Sequence, residues 1–265
     1  MSHRDLSRDP TGQSQGEPVR HDVTRRIWGD GDAVLMVFAG AAAEFALSRA
    51  VDWLFVTGKL PKDPVGRLFS TVSYARSIAF DGPEGARAAL ERIRTAHGAV
   101  EAAREARIPP WAYRAVLYLL IDYSERACSV LTRALSPAEQ EGLFADFRRI
   151  GEGLGIPDLP SSYAEWYADR AVQLQRDLAW SEHSADLYAA YRRDLGPVRY
   201  QVLLEVQGAL VPRQVRNSLP FLLPNRGKLL IDGYRRLRAT PLAWPIRRLL
   251  FPPAHRVQLH RLYER

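Results

Sequence analysis

Residues 33–47, AVLMVFAGAAAEFAL, form an apolar run that has no polar face when it is wound as a helix. A helix that is apolar on all sides is buried in a folded protein or crosses a membrane. The run has only fifteen residues and is interrupted by Glu44, whereas a bilayer span needs roughly 20 apolar residues. We therefore predict a buried helix around which the rest of the chain packs.

Helix-start signals recur along the rest of the chain. An acidic or hydroxyl residue followed within two positions by proline is typical of a helix N-terminus, and the sequence has this pattern at Asp63-Pro64, Asp81-Gly82-Pro83 and Ser136-Pro137. Apolar residues recur at helical spacing, and no stretch alternates as a strand does. The predicted helices cover residues 33–47, 64–79, 83–107, 111–134, 137–153, 163–178, 184–194, 198–210, 227–238, 241–250 and 255–263.

We predict an all-α fold, a single compact multi-helix domain with a basic C-terminal helical extension. Residues 1–22 are polar and predict a disordered leader, residues 23–215 form the helical body, and residues 216–265 form the extension. From Pro212 to Arg265 the chain carries eleven Arg and one Lys against two acidic residues, a net charge of +10, and the rest of the chain carries −3. The body is therefore slightly acidic and its extension strongly basic.

The cysteine content limits the chemistry. Cys128 is the single cysteine, so the chain forms no internal disulfide and holds no four-thiolate metal site. The N-terminal residues carry no hydrophobic run of the kind that a secretory signal needs. We expect a cytoplasmic protein.

His97 is the histidine with the most informative position, because it lies inside a predicted body helix beside Ile93 and Val100. One interpretation is a core histidine that is hydrogen-bonded to a neighbouring helix. The other is a metal or haem ligand, since a neutral imidazole offers one nitrogen for the bond. The residue alone does not decide between them.

Three further polar residues on the predicted helices, Arg94, Arg67 and Thr71, are candidates for the same site. Arg94 lies one turn before His97, where it can pair with an anionic group such as a haem propionate or with Glu91. Arg67 and Thr71 share a face of the preceding helix, where they can orient a bound oxygen species. The alternative is that the Thr71 hydroxyl bonds the carbonyl of Arg67, four residues earlier, and that the Arg67 side chain is exposed.

The order of these elements resembles the catalytic domain of the MpaB-like oxygenase and rubber oxygenase (latex clearing protein) family over residues 25 to 215. Arg67-x-x-x-Thr71 is followed by Arg94-x-x-His97, then by the apolar helix that starts at Trp111. Leu154-Gly155-Ile156-Pro157 and Leu159-Pro160-Ser161-Ser162 complete the pattern.

The resemblance implies an all-α fold with haem b between helices. His97 matches the axial ligand of the haem iron, Arg94 an arginine one turn from that ligand, and Arg67 and Thr71 a polar pair near the other face of the haem. The implied reaction is oxygenation of an apolar substrate, such as an isoprenoid or a lipid, with O₂. This sequence differs from the rubber oxygenases at Ser70, where they have a lysine, and at Tyr113, where relatives have a histidine in Trp-x-His.

The basic extension has three interpretations. Its helices can pack on the body with their arginines solvated or paired to acidic groups. They can instead contact an anionic membrane surface peripherally. Nucleic-acid binding is not favoured, since no helix-turn-helix spacing or zinc-finger pattern is present.

The sequence therefore leaves two alternatives to a haem-dependent oxygenase. One is a non-enzymatic helical module that binds a membrane surface or a protein partner through its basic C-terminus. The other is a haem protein for electron transfer or sensing. The sequence leaves the oligomeric state open.

Overall fold

A computed structural model describes residues 20–55, 62–219, 221–222 and 224–264. These residues are helical and contain no β-strand, which confirms the all-α prediction. The helices are α1 (Arg20–Gly29), α2 (Gly31–Leu47), α3 (Val51–Phe55), α4 (Pro64–Phe80), α5 (Gly82–Arg104), α6 (Pro110–Leu131), α7 (Pro137–Gly153), α8 (Tyr163–Arg176), α9 (Glu182–Leu210), α10 (Arg213–Ser218), α11 (Pro224–Leu237), α12 (Ala243–Leu250) and α13 (Arg256–Tyr263). Residues 1–19 of the predicted leader lie outside the described residues, and residues 20–22 belong to α1.

Two of the three predicted start signals, Asp63 and Ser136, cap their helices through side-chain hydrogen bonds, whereas Asp81 makes none. The carboxylate of Asp63 accepts a hydrogen bond from Gly66 N at 2.8 Å at the start of α4. At the start of α7, Glu139 N donates to Ser136 Oγ at 3.3 Å, and Ser136 N donates to the Glu139 carboxylate at 2.8 Å. These bonds satisfy backbone donors that the first turn of a helix leaves without partners.

Helix α2 lies at the centre of the core, as its apolar run predicts. It packs along α6 and α9, and most of its residues are buried. Gly40 lies where α2 meets the fully buried ring of Tyr123 on α6, and this close approach leaves no room for a Cβ. The absence of a side chain at Gly40 therefore sets how closely the two helices pack.

A buried ion network crosses this core. Arg170 on α8 donates to both carboxylate oxygens of Glu44 at 2.6 Å and to Asp122 at 2.9 and 3.2 Å. All three residues are less than one-tenth exposed. The charge of Glu44, which interrupts the apolar run of α2, is thus neutralised by Arg170, which lies 126 positions later in the chain.

Helix α9 contains the two helices that the sequence predicts over 184–194 and 198–210. The backbone between them is non-helical at Gly196, where the chain kinks before Pro197. Gly196 has φ 75°, a conformation that glycine adopts without strain. The kink turns the axis while the apolar residues on both sides still reach the core.

The basic extension packs on the body through the start of α2. Asp32 is 2 % exposed and accepts hydrogen bonds from Tyr234 Oη at 2.7 Å and Arg247 Nη2 at 2.7 Å, as well as from Arg238 and Tyr263. Ile231 and Leu262 of the extension join the same hydrophobic core as α2. These contacts correspond to the interpretation in which the extension packs on the body with arginines paired to acidic groups.

Candidate functional site

The hairpin of α4 and α5 carries the four residues that the sequence singled out. Asp81 ends α4 and precedes α5, and the two helices then pack against each other along their lengths. Arg67 and Thr71 lie on the first helix, Arg94 and His97 on the second. The positive charge of Arg67 lies near enough to His97 to influence its pKa.

The ring of His97 lies at the open end of this hairpin. Its centroid is 4.9 Å from that of Tyr113, which follows the first turn of α6, and the rings meet edge to face at 60°. Among the described residues, no group makes a hydrogen bond to the imidazole. The expected hydrogen bond of a core histidine is therefore not present, and a ring nitrogen is available for another partner.

Burial favours the neutral form of this imidazole. Burial lowers the pKa of His97, and the charge of Arg67 adds to that effect, while Glu101 acts in the opposite direction. A histidine with a pKa below its ordinary value of about 6.5 is largely uncharged at pH 7. A neutral imidazole has the lone pair that a metal ion requires.

Glu101 is a site residue that the sequence reasoning missed. It lies one turn after His97 and accepts hydrogen bonds from Ile108 N at 2.9 Å and Tyr113 Oη at 3.4 Å. Burial and the charge of Glu101 raise the pKa of Tyr113 to about 12. The carboxylate thus holds both the α5–α6 turn and the phenol of Tyr113 beside His97. The sequence signal that could have indicated Glu101 is its spacing of four residues from His97, which places both on one helix face.

Arg67 and Thr71 differ in whether their side-chain donors already have hydrogen-bond partners. Thr71 is exposed, and its hydroxyl donates to the Arg67 carbonyl at 3.1 Å, the alternative that the sequence left open. Arg67 is half-buried, and among the described residues nothing accepts a hydrogen bond from its guanidinium. A cation with unused donors therefore lies beside His97.

Arg94 points away from this group of residues. Its guanidinium donates to the carboxylate of Glu91 and to the carbonyl of Gly153 at the end of α7. The ion pair with Glu91 is the alternative that the sequence offered. Arg94 in this arrangement joins α5 to α7.

Helix α5 is poorly covered on the side that its spacing predicts to be apolar. The apolar residues at helical spacing are Ala89, Ile93, Ala96, Val100 and Ala103, but only Ala89 and Val100 are buried. A 23-residue helix that buries so little contributes little to the core. The face next to His97 is therefore open to a further apolar group.

No group of three or more His, Cys, Asp or Glu side chains in the described part of the chain is arranged to hold a metal ion. Asp122 and Glu125, which share a face of α6, have other partners. Asp122 pairs with Arg170, and Glu125 accepts from Tyr163 Oη at 3.1 Å. A carboxylate-bridged metal pair has no support here, whereas ligation by a single histidine needs no such group.

The model of the family described as "ER-bound oxygenase mpaB/B'/Rubber oxygenase, catalytic domain" matches residues 25–254. The chain belongs to this family. The match confirms the resemblance that the sequence showed and extends it from residue 215 into the basic extension. No curated protein and no solved structure matches the chain.

Membership of the MpaB and rubber oxygenase family gives the site a chemical class. All four predicted residues, Arg67, Thr71, Arg94 and His97, fall inside the matched region. The family supports an oxygenase that uses a small-molecule substrate and O₂. Across the ranges that the structure describes, no helix is both long and apolar enough to cross a bilayer.

Proposed function

We propose that this protein is a haem b-dependent oxygenase that acts with O₂ on an apolar substrate of isoprenoid or lipid type. One observation carries the haem part of the proposal. His97 presents a neutral imidazole with no hydrogen-bond partner among the described residues, at a position inside the family match. The family supports the oxygenase class and the type of substrate.

The residues around His97 fit a haem group. A haem needs an uncharged imidazole, an apolar surface for its ring and cations for its propionates. The described residues offer the ring of His97, the uncovered face of α5 with Ile93 and Ala96, and the guanidinium of Arg67 without an acceptor. Haem iron supplies binding and activation of O₂ when it is present.

Three residues of the site, His97, Arg67 and Thr71, have separate roles. His97 would hold the iron of a bound haem through one ring nitrogen, and contact with the edge of Tyr113 limits rotation of the imidazole. Arg67 donates hydrogen bonds to an anionic or oxygen-bearing group on that surface. The hydroxyl proton of Thr71 is held by the Arg67 carbonyl, so its oxygen accepts a hydrogen bond from a protic group.

Ser70 would leave the iron of a bound haem to His97. Its side chain is exposed and donates to the Gly66 carbonyl at 3.1 Å. A serine in this state is not an iron ligand, unlike the lysine that rubber oxygenases have at this place.

Arg94 reaches a haem propionate only by leaving Gly153. The side chain is long enough to exchange one acceptor for another, and its bond to Glu91 is exposed. In a protein that holds haem, Arg94 would be the cation for a propionate in place of the Gly153 carbonyl.

Substrate-dependent O₂ consumption tests the oxygenase proposal. The protein is loaded with haem and mixed with prenyl alcohols or prenylated phenols, and products are analysed after reaction under ¹⁸O₂. We expect O₂ uptake that requires substrate, with ¹⁸O in the product, and a marked loss of rate in Arg67→Met. A protein that binds haem but shows no substrate-dependent uptake would instead serve electron transfer or sensing.

A further inference from the structure

We propose that a pocket between α12 and α13 binds the phosphate headgroup of an anionic lipid at a membrane surface. The pocket has a volume of about 430 Å³, and three arginines, Arg248, Arg256 and Arg261, line it together with Trp244 and His260. We call it the basic pocket. It goes beyond the proposed oxygenase, because it needs neither haem nor substrate.

The helices that carry the basic pocket are fixed to the body on their inner side. Arg247 on α12 is tied to the buried carboxylate of Asp32, and Leu259 and Leu262 of α13 are buried. Arg76 on α4 donates to the Leu262 carbonyl at 2.7 Å at the end of α13. With the inner side anchored in this way, the arginines of the pocket stand on the outer, exposed side.

The arginines of the pocket have no counter-charge of their own. Within the residues that the structure describes, none of the three guanidinium groups donates a hydrogen bond to the protein or pairs with a carboxylate. The wall has one acidic residue, Glu264, which lies 3.2 Å from His260 Nδ1. The pocket therefore has an excess of positive charge, and arginine clusters of this kind bind phosphate through charge-assisted hydrogen bonds.

The surface beside the pocket favours a lipid over a free phosphate. Val257 in the wall is 63 % exposed, and Leu249, which follows Arg248, is 70 % exposed. Trp244 adds a half-buried indole, the residue type that is enriched at membrane interfaces. Cationic and apolar side chains on one surface suit the boundary between headgroups and acyl chains.

The basic pocket also lies largely outside the family match. Arg256, His260 and Arg261 follow residue 254, where the match ends. The family match therefore does not account for these three residues. The basic pocket would hold the protein at the surface from which an apolar substrate leaves the bilayer.

Vesicle flotation of the full chain tests this proposal. The probes are vesicles of phosphatidylcholine alone and of phosphatidylcholine with phosphatidylglycerol, at physiological salt. The pocket variant is R248Q/R256Q/R261Q, and the matched control is R92Q/R213Q/R236Q, which removes three exposed arginines elsewhere. Both variants lower the net charge equally, and circular dichroism verifies that both are folded.

We expect binding only to the vesicles with phosphatidylglycerol. Each arginine near an anionic surface contributes about fivefold, so the pocket variant should bind at least roughly tenfold more weakly, and the control within about threefold of the wild type. Equal losses in the two variants would overturn the pocket in favour of diffuse charge. Binding of soluble glycerol phosphate without vesicle binding would overturn the lipid assignment, and so would failure of the wild type to float.

Discussion

The ring of His97 on α5 meets the ring of Tyr113 on α6 edge to face, with their centroids 4.9 Å apart. Tyr113 is held from the other side by Glu101, which also accepts the backbone N–H of Ile108. Two residues of α5, His97 and Glu101, thus contact the same tyrosine of α6 across the turn that joins the helices. This arrangement gives His97 a fixed aromatic neighbour, and none of the described residues makes a hydrogen bond to its nitrogens.

Tyr113 should act on haem binding through its ring more than through its hydroxyl. Tyr113→Ala removes the edge contact and should weaken haem binding by about tenfold, since an aromatic pair contributes about 0.5–1.5 kcal/mol. Tyr113→Phe keeps the ring and should stay within about threefold of the wild type. Haem titration of the three proteins gives the comparison, and a loss in Tyr113→Phe as large as that in Tyr113→Ala would show that the hydroxyl contact to Glu101 matters more than the ring.

Arg170 should be essential for stability. Arg170→Met leaves Glu44 buried without a cation and Asp122 with Arg126 alone, and should lower the free energy of unfolding by about 3–5 kcal/mol. Arg87→Met removes an exposed ion pair with Glu84 and should cost less than about 1 kcal/mol. Urea unfolding measures both, and comparable losses in the two variants would contradict the role of the buried network.

Asp32 should hold the basic extension on the body. Asp32→Asn removes the charge that faces Arg238 and Arg247, and trypsin should then cleave the extension faster than the body. Asp186→Asn, on an exposed part of α9, should leave the digestion pattern unchanged. If Asp32→Asn is as resistant as the wild type, the extension is held mainly by its apolar contacts.

The stability that Asp32 provides should depend on pH. Burial acts to raise the pKa of Asp32, but hydrogen bonds from Arg247, Tyr263 and Tyr234 outweigh it, and the net shift is downward. A lowered folded-state pKa stabilises the protein above the unfolded value of about 3.9 and loses this contribution as the pH falls below it. The difference in stability between wild type and Asp32→Asn should therefore shrink below that pH.

Glu125 should show the opposite pH dependence. Burial raises its pKa to about 7, so the folded state holds a proton that the unfolded state releases near pH 4.3. Stability should therefore fall as the pH rises between these values. Glu125→Gln, which keeps an acceptor for Tyr163, should be more stable than the wild type by roughly 3–4 kcal/mol at pH 8 and by little at pH 4. Melting temperatures across this range test the prediction, and a difference independent of pH would contradict it.

Local signals predicted most of the fold. Asp63-Pro64 and the Ser136 capping box mark helix starts because the bonds they make lie within four residues. The short helices α1, α3 and α10 were not predicted. The break inside α9 was predicted correctly, because a glycine followed by a proline interrupts a helix locally.

The site was only partly readable from the sequence. The spacing of Arg94 and His97 placed both on one helix, but the partner of Arg94 is the Gly153 carbonyl of α7, which is 59 residues away. Arg170 and Glu44 are separated by 126 positions, so no local pattern indicates their pairing. Contacts of this kind depend on how the helices pack.

The visible absorption spectrum during haem titration tests the central claim most directly. Wild-type protein, His97→Ala and the control His260→Ala, whose ring is exposed, are titrated under the same conditions. We predict a Soret band at one haem per chain for the wild type and His260→Ala, and no such band for His97→Ala with unchanged helical circular dichroism. Stoichiometric haem in His97→Ala, or no band in the wild type, would contradict the assignment of His97 as the haem ligand.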